Sequence, residues 1–229
     1  MKIAGLQKTT LLDFPTKVAC IVFLHGCNFR CPFCHNANLV IEKENTFITE
    51  EAFFQFLSKR KGLLDGVCIS GGEPTIYQEE LITFIRKIKE MDFLVKLDTN
   101  GTNPELLQKL LKDSFIDYIA MDIKNSKENY LKTIGLTQLE LDKIEKSIEL
   151  IKNSNIDYEF RTTVVNPLHT KDDFRNIANW IGDCNKYYLQ TFQDSGHLIH
   201  GEYLTNYSIE EMMEFRTILQ TKMHDVRVK

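Results

Sequence analysis

Six short stretches of the chain are rich in β-branched and aromatic residues and are bounded by Gly, Asn, Asp or Pro: 18–24 (VACIVFL), 66–70 (GVCIS), 93–98 (FLVKLD), 117–122 (DYIAMD), 158–165 (YEFRTTVV) and 187–190 (YYLQ). Such runs predict strands. Between them the apolar positions change to a helical period. Residues 79–91 put Leu81, Ile82, Ile85 and Ile88 on one stripe, and 50–60 carries Phe53, Phe54, Phe56 and Leu57. Pro104 opens 104–111 at a first-turn position. Helical patterns over 139–151, 172–181 and 210–220 follow, and the pairs Thr170/Asp173 and Ser208/Glu211 match the Ser/Thr-x-x-Asp/Glu cap.

Strand–helix alternation predicts a parallel sheet with right-handed crossovers. Six units are fewer than the eight of a closed barrel. The expected fold is α/β, an incomplete (βα)6 TIM-type barrel, and periodicity leaves a flat doubly wound sheet open as the alternative. The expected organisation is one domain over 1–229: a short extension at 1–17, a barrel core at 18–190 and a helical segment at 205–225.

Composition narrows the class. The 229 residues are 43% apolar, enough for a sizeable core, and the formal charge of −4 offers no basic surface for nucleic acid. The opening MKIAGLQKTTLLDF lacks the long apolar stretch of a secretory signal, and the run at 18–24 is far too short for a membrane span. A cytoplasmic protein with no membrane and no nucleic-acid partner is expected.

Of six cysteines, Cys27, Cys31 and Cys34 fall within eight residues, whereas Cys20, Cys68 and Cys184 are scattered. The scattered three are expected in the core, as free cysteine behaves as a small hydrophobe. The clustered three form C-x3-C-x2-C directly after the first strand, in Leu24-His-Gly-Cys-Asn-Phe-Arg-Cys-Pro-Phe-Cys-His-Asn36. Structural zinc wants four ligands; the nearby candidates for a fourth are His25 and His35, and no second cysteine pair exists. Thiolates are the soft ligands that iron–sulfur clusters select. Three can hold three irons of a cubane and leave one iron open for chemistry, so a [4Fe–4S] cluster on Cys27, Cys31 and Cys34 is expected. A zinc site and plain buried thiols are the alternatives.

The C-x3-C-x2-C loop, with Phe33 before Cys34, resembles the signature of the radical S-adenosylmethionine superfamily. Ser70–Pro74 (SGGEP), 98–101 (DTNG) and 121–124 (MDIK) strengthen the match, and their order resembles the activating enzymes of glycyl radical proteins. QKTTLLDFP, CPFCHN and FRTTVV are most similar to the anaerobic ribonucleoside-triphosphate reductase activating type. The resemblance implies a [4Fe–4S] cluster that reductively cleaves S-adenosylmethionine. The 5′-deoxyadenosyl radical then takes hydrogen from a glycine of a partner, most like anaerobic ribonucleotide reductase. It implies a low-potential donor such as flavodoxin or ferredoxin. A pyruvate formate-lyase type of activator, a radical enzyme acting on a small molecule, and an iron–sulfur electron carrier are the competing readings.

Each motif lies at the C-terminal end of an expected strand, the face where parallel βα folds gather their sites. The resemblance implies that Gly71, Gly72 and Glu73 meet the cofactor's amino group and Lys124 its carboxylate. Asp98, Thr99 and Asp122 match positions that bind a monovalent cation, so such an ion is expected near Asp98 and Asp122. Arg161 resembles a substrate or cofactor contact. A plain turn for the glycines, a surface lysine, capping acids and a salt-bridged barrel arginine are the corresponding structural alternatives. Phe33, Cys34 and His35 are expected against the cofactor, His35 as a stacking or structural residue and not as a ligand. Gln190 and Gln193 stand where the relatives carry a late histidine; His197 and His200 follow further on.

Overall fold

The computed structural model describes residues 1–41 and 46–229. Its sheet has eight strands in sequential order: β1 (Ile3–Thr10), β2 (Ala19–Leu24), β3 (Gly66–Gly71), β4 (Leu94–Thr99), β5 (Tyr118–Asp122), β6 (Asp157–Val164), β7 (Tyr187–Thr191) and β8 (Val226–Val228). β1 runs antiparallel to β2, and every later neighbour is parallel. A doubly wound sheet reverses its strand order at a switch point. The order here never reverses, so the barrel-type architecture holds and the flat alternative falls away.

The six expected strands are present as β2 to β7. Two edge strands were not expected. β1 occupies the stretch read as an extension, where IAGLQKTT has too few apolar residues to register; β8 is only three residues long. The 205–225 segment is accordingly a helix followed by a turn into a strand.

The helices follow the predicted spacing: α2 (Glu50–Ser58), α3 (Glu79–Glu90), α4 (Pro104–Lys112), α6 (Leu141–Lys152), α7 (Lys171–Ile181) and α8 (Ile209–Leu219), with short α1 (Ala37–Ile41) and α5 (Tyr130–Ile134) added. Both anticipated capping boxes form, at Thr170/Asp173 and Ser208/Glu211. Alternation along the strands separates two layers. Val22, Leu24, Val67, Ile69, Val95, Leu97, Ile119, Met121 and Phe160 pack outward against the helices in the main core. Ala19, Ile21, Cys68 and Tyr118 pack with Phe14 in a small inner cluster. Cys20, Cys68 and Cys184 are buried and free, as expected.

Candidate functional site

The cysteine loop leaves β2 through Gly26, whose φ is +91°. Its base is held by β3: the Glu73 N–H donates to the Gly26 carbonyl at 2.8 Å and the Gly72 N–H to the Leu24 carbonyl at 2.9 Å. A Cβ on Gly72 would lie 1.9 Å from the Gly26 carbonyl oxygen, so only glycine permits this approach. The far side is held by α5, where Arg30 N–H donates to the Ile134 carbonyl at 2.9 Å. The Arg30 guanidinium closes the loop on itself, donating to the Cys27 and Phe29 carbonyls at 2.7 Å each.

Cys27, Cys31 and Cys34 open on one cavity of about 360 Å³ at the C-terminal ends of the strands. Phe33, His35, Gly71, Gly72, Glu73, Asp98, Thr99, Asp122, Lys124, Arg161 and Gln190 all line it. Residues scattered over more than 160 positions thus meet in one place. Ser70 and Thr163 line it too; they share an inward strand face with Cys68 and Arg161, a signal available in the sequence but not used. Phe29 and Asn36 of the cysteine loop and Asn100 of DTNG also border it, as do Val40, Thr191 and Phe192, which carry no motif signal, and Gln193 beside Gln190. His197 instead lines a neighbouring groove with Phe23 and Asn38. His200 is tied back to the cysteine loop, its N–H donating to the Pro32 carbonyl at 3.1 Å.

The charged side chains of the cavity alternate. Lys96 is ion-paired with Asp98. Arg161 bridges the two acids, with its Nη1 3.5 Å from Asp98 and its Nε donating to Asp122 at 2.9 Å. Lys124 donates to the other Asp122 oxygen at 2.9 Å. Burial alone would raise both acids, but Arg161 with Lys96 holds Asp98, and Arg161 with Lys124 holds Asp122, below the ordinary carboxylate range. Burial opposes the Lys124 charge, yet Asp122 outweighs it and the ammonium titrates above its usual value. Arg161 is likewise engaged between acids, which is the salt-bridged alternative realised inside the cavity.

Glu73 is 1% exposed, and its carboxylate accepts from Thr75 N–H at 3.0 Å, Thr75 Oγ1 at 2.6 Å, Thr99 Oγ1 at 2.8 Å and Asn100 N–H at 2.6 Å. Its oxygens knit the end of β3 to the end of β4. Burial raises its titration despite these donors.

His169, which the sequence reading passed over, braces the far wall. It is fully buried. Its Nε2 lies 2.8 Å from the Lys124 carbonyl, and its Nδ1 accepts from Val165 N–H at 3.1 Å. Its ring meets Phe33 edge-on with centroids 6.4 Å apart. One histidine therefore positions both Lys124 and the cysteine-loop aromatic.

The thiols suit a cluster. Burial pushes Cys27 up to about 12 and Cys31 up to about 11, and raises Cys34, so a cationic occupant is needed to hold all three as thiolates. Among the described residues no three His, Cys, Asp or Glu converge tightly enough for a single ion. A cluster that gives each thiolate its own iron does not require that convergence.

Residues 21–181 match the family model described as the Radical SAM superfamily. The chain is 37% identical over 196 residues to a Methanocaldococcus jannaschii protein provisionally named a glycyl-radical enzyme activating enzyme, covering 83% of this chain and 80% of that one. It is 28% identical over 186 residues to the pyruvate formate-lyase-activating enzyme of Clostridium pasteurianum, covering 79% and 76%. Streptococcus suis SuiB bound to S-adenosylmethionine shares the fold, with a TM-score of 0.65 at 13% identity over 91% of this chain and 51% of that one.

Proposed function

The chain belongs to the Radical SAM superfamily, in its glycyl-radical enzyme activating branch, and from that premise we propose that Cys27, Cys31 and Cys34 hold a [4Fe–4S] cluster beside a site for S-adenosylmethionine. The observation that carries this reading is the opening of all three thiols on one cavity that also presents Lys124. When bound and reduced by a low-potential donor of the flavodoxin or ferredoxin kind, the cluster supplies the electron that cleaves the cofactor to methionine and a 5′-deoxyadenosyl radical.

The chain's own residues bind and orient. The five-charge chain from Lys96 to Lys124 carries one positive charge in excess, and Lys124 ends it nearest the cysteine loop, suited to a carboxylate. Gly71 and Gly72 bring backbone to the cavity wall without side chains. Phe33 and His35 offer aromatic faces to the adenine. Gln190 and Gln193 supply neutral hydrogen-bonding groups where relatives use histidine. Asp122 and Arg161 hold Lys124 in place.

The hydrogen atom comes from a backbone glycine of a partner protein, and the partner we favour is anaerobic ribonucleoside-triphosphate reductase, on the strength of QKTTLLDFP, CPFCHN and FRTTVV. A pyruvate formate-lyase type of partner is the second reading, favoured by the Clostridium pasteurianum similarity. The test is anaerobic incubation of the reduced protein with S-adenosylmethionine and each partner. The expected outcome is 5′-deoxyadenosine together with a glycyl radical in the electron paramagnetic resonance spectrum of the reductase. Cys31→Ala is expected to lose the iron–sulfur absorbance and to reduce 5′-deoxyadenosine to background. Stoichiometric zinc without iron, or iron without cofactor cleavage, contradicts the reading.

A further inference from the structure

Lys96 is the member of the charge chain that does not itself line the cavity. It lies on the inward face of β4, two residues before Asp98, and is 1% exposed. Buried lysine is rare without a firm reason. Below it, its ammonium lies 5.8 Å from the Tyr118 ring centroid, and Tyr118 in turn donates to Glu159 at 2.8 Å. Above it is Asp98, at the cavity wall.

Two carboxylates share that wall, and a third arrives with any amino-acid-like ligand that Lys124 binds. Such a site needs positive charge, supplied either by a diffusible ion or by the chain. The four oxygens of Asp98 and Asp122 are already matched: Lys96 and Arg161 face those of Asp98, and Arg161 and Lys124 those of Asp122. Arg161 and Lys124 both line the cavity itself, whereas Lys96 reaches Asp98 from beneath the lining. Its position leaves the ligand space clear while neutralising the acid from behind. The monovalent ion expected near Asp98 and Asp122 would therefore have to compete with a tethered ammonium.

We propose that Lys96 is the built-in counter-cation of this pocket, a positioning residue that pairs with Asp98 from behind, keeps it aimed and so makes ligand binding independent of monovalent metal ions. The proposal rests on the reading of the pocket as a site for S-adenosylmethionine.

The experiment is an equilibrium titration of the anaerobically reconstituted holoprotein with S-adenosylmethionine in sodium, potassium or choline chloride at equal ionic strength. The wild type is expected to give dissociation constants within about twofold of one another. Lys96→Met is expected to bind about tenfold or more weakly in choline, the scale of one lost charge-assisted contact, and to recover in sodium or potassium chloride with its iron content unchanged. A wild-type affinity that rises several-fold with sodium or potassium overturns the proposal without using any variant. Unchanged affinity of Lys96→Met in choline, or a loss that no cation restores, also overturns it. A wild type that binds no S-adenosylmethionine in any salt overturns both this proposal and the pocket assignment. Ion-dependent binding overturns the Lys96 role alone.

Discussion

Glu73 shows how a single side chain at the cavity wall also ties neighbouring strand ends together. SGGEP implies a cofactor contact at this acid, and Glu73 does border the cavity. Its Oε1 accepts from Thr75 and Thr99 and its Oε2 from Asn100. It serves the site by fixing the ends of β3 and β4. Glu73→Gln keeps the acceptor for three of these bonds and turns an amide nitrogen toward the Asn100 N–H, leaving a buried donor unmatched. The expected cost is about 2 kcal/mol, read by anaerobic denaturant unfolding with the thiols reduced; a stability equal to the wild type would show that the Asn100 bond is dispensable. Nothing in the sequence could tell that Thr99 and Asn100 face Glu73, because that meeting depends on two strands separated by a helix.

At the scale of elements, the cysteine loop has its shape because its neighbours come close. Gly72 against the Gly26 carbonyl fixes the base, and α5 fixes the far side through Arg30. Gly135 ends α5 in the left-handed region at φ +67°, where a Cβ would stand 2.2 Å from the Arg30 carbonyl oxygen. Gly72→Ala is expected to destabilise the protein by about 3 kcal/mol or more, since the clash is with backbone and not with a movable side chain. It is also expected to lower the iron retained per chain, because the displaced loop carries the three cysteines. Thermal unfolding and iron analysis check both, and a variant with wild-type melting and iron content would mean the loop is free to shift. The helices and the six inner strands were legible because amphipathic spacing and strand composition are local. β1 and β8 were not: an edge strand carries less apolar sequence, and its membership of the sheet is decided by its partner.

At the scale of the whole molecule, His169 ties the turn after β6 to the end of β5 and to the cysteine loop. Burial lowers its titration below the ordinary 6.5, so the folded protein holds it neutral while the unfolded chain protonates it near that value. The unfolded state then binds more protons below about pH 6.5, and stability is lost as pH falls through that window. The loss is bounded by about 1.4 kcal/mol per pH unit. The expected outcome is a melting temperature that falls between about pH 7.5 and 5.5 in the wild type. His169→Gln retains a donor for the Lys124 carbonyl and is expected to flatten that slope; an undiminished slope would assign the pH response elsewhere. The buried acids Asp98 and Asp122 act in a lower window, below their ordinary 3.8, so they do not enter this comparison.

The sequence alone determined the order of the six inner strands and the longer helices between them, the thiol spacing and the gathering of motifs at one end of the strands. These follow from periodicity and from the rule that a parallel βα sheet presents its loops on one face. Only the tertiary structure decided which charges meet. Arg161 between two acids, Glu73 across two strands and His169 behind Lys124 all depend on register between segments distant in the chain. Local pattern fixes which face a side chain takes; pairing between strands fixes what stands opposite it.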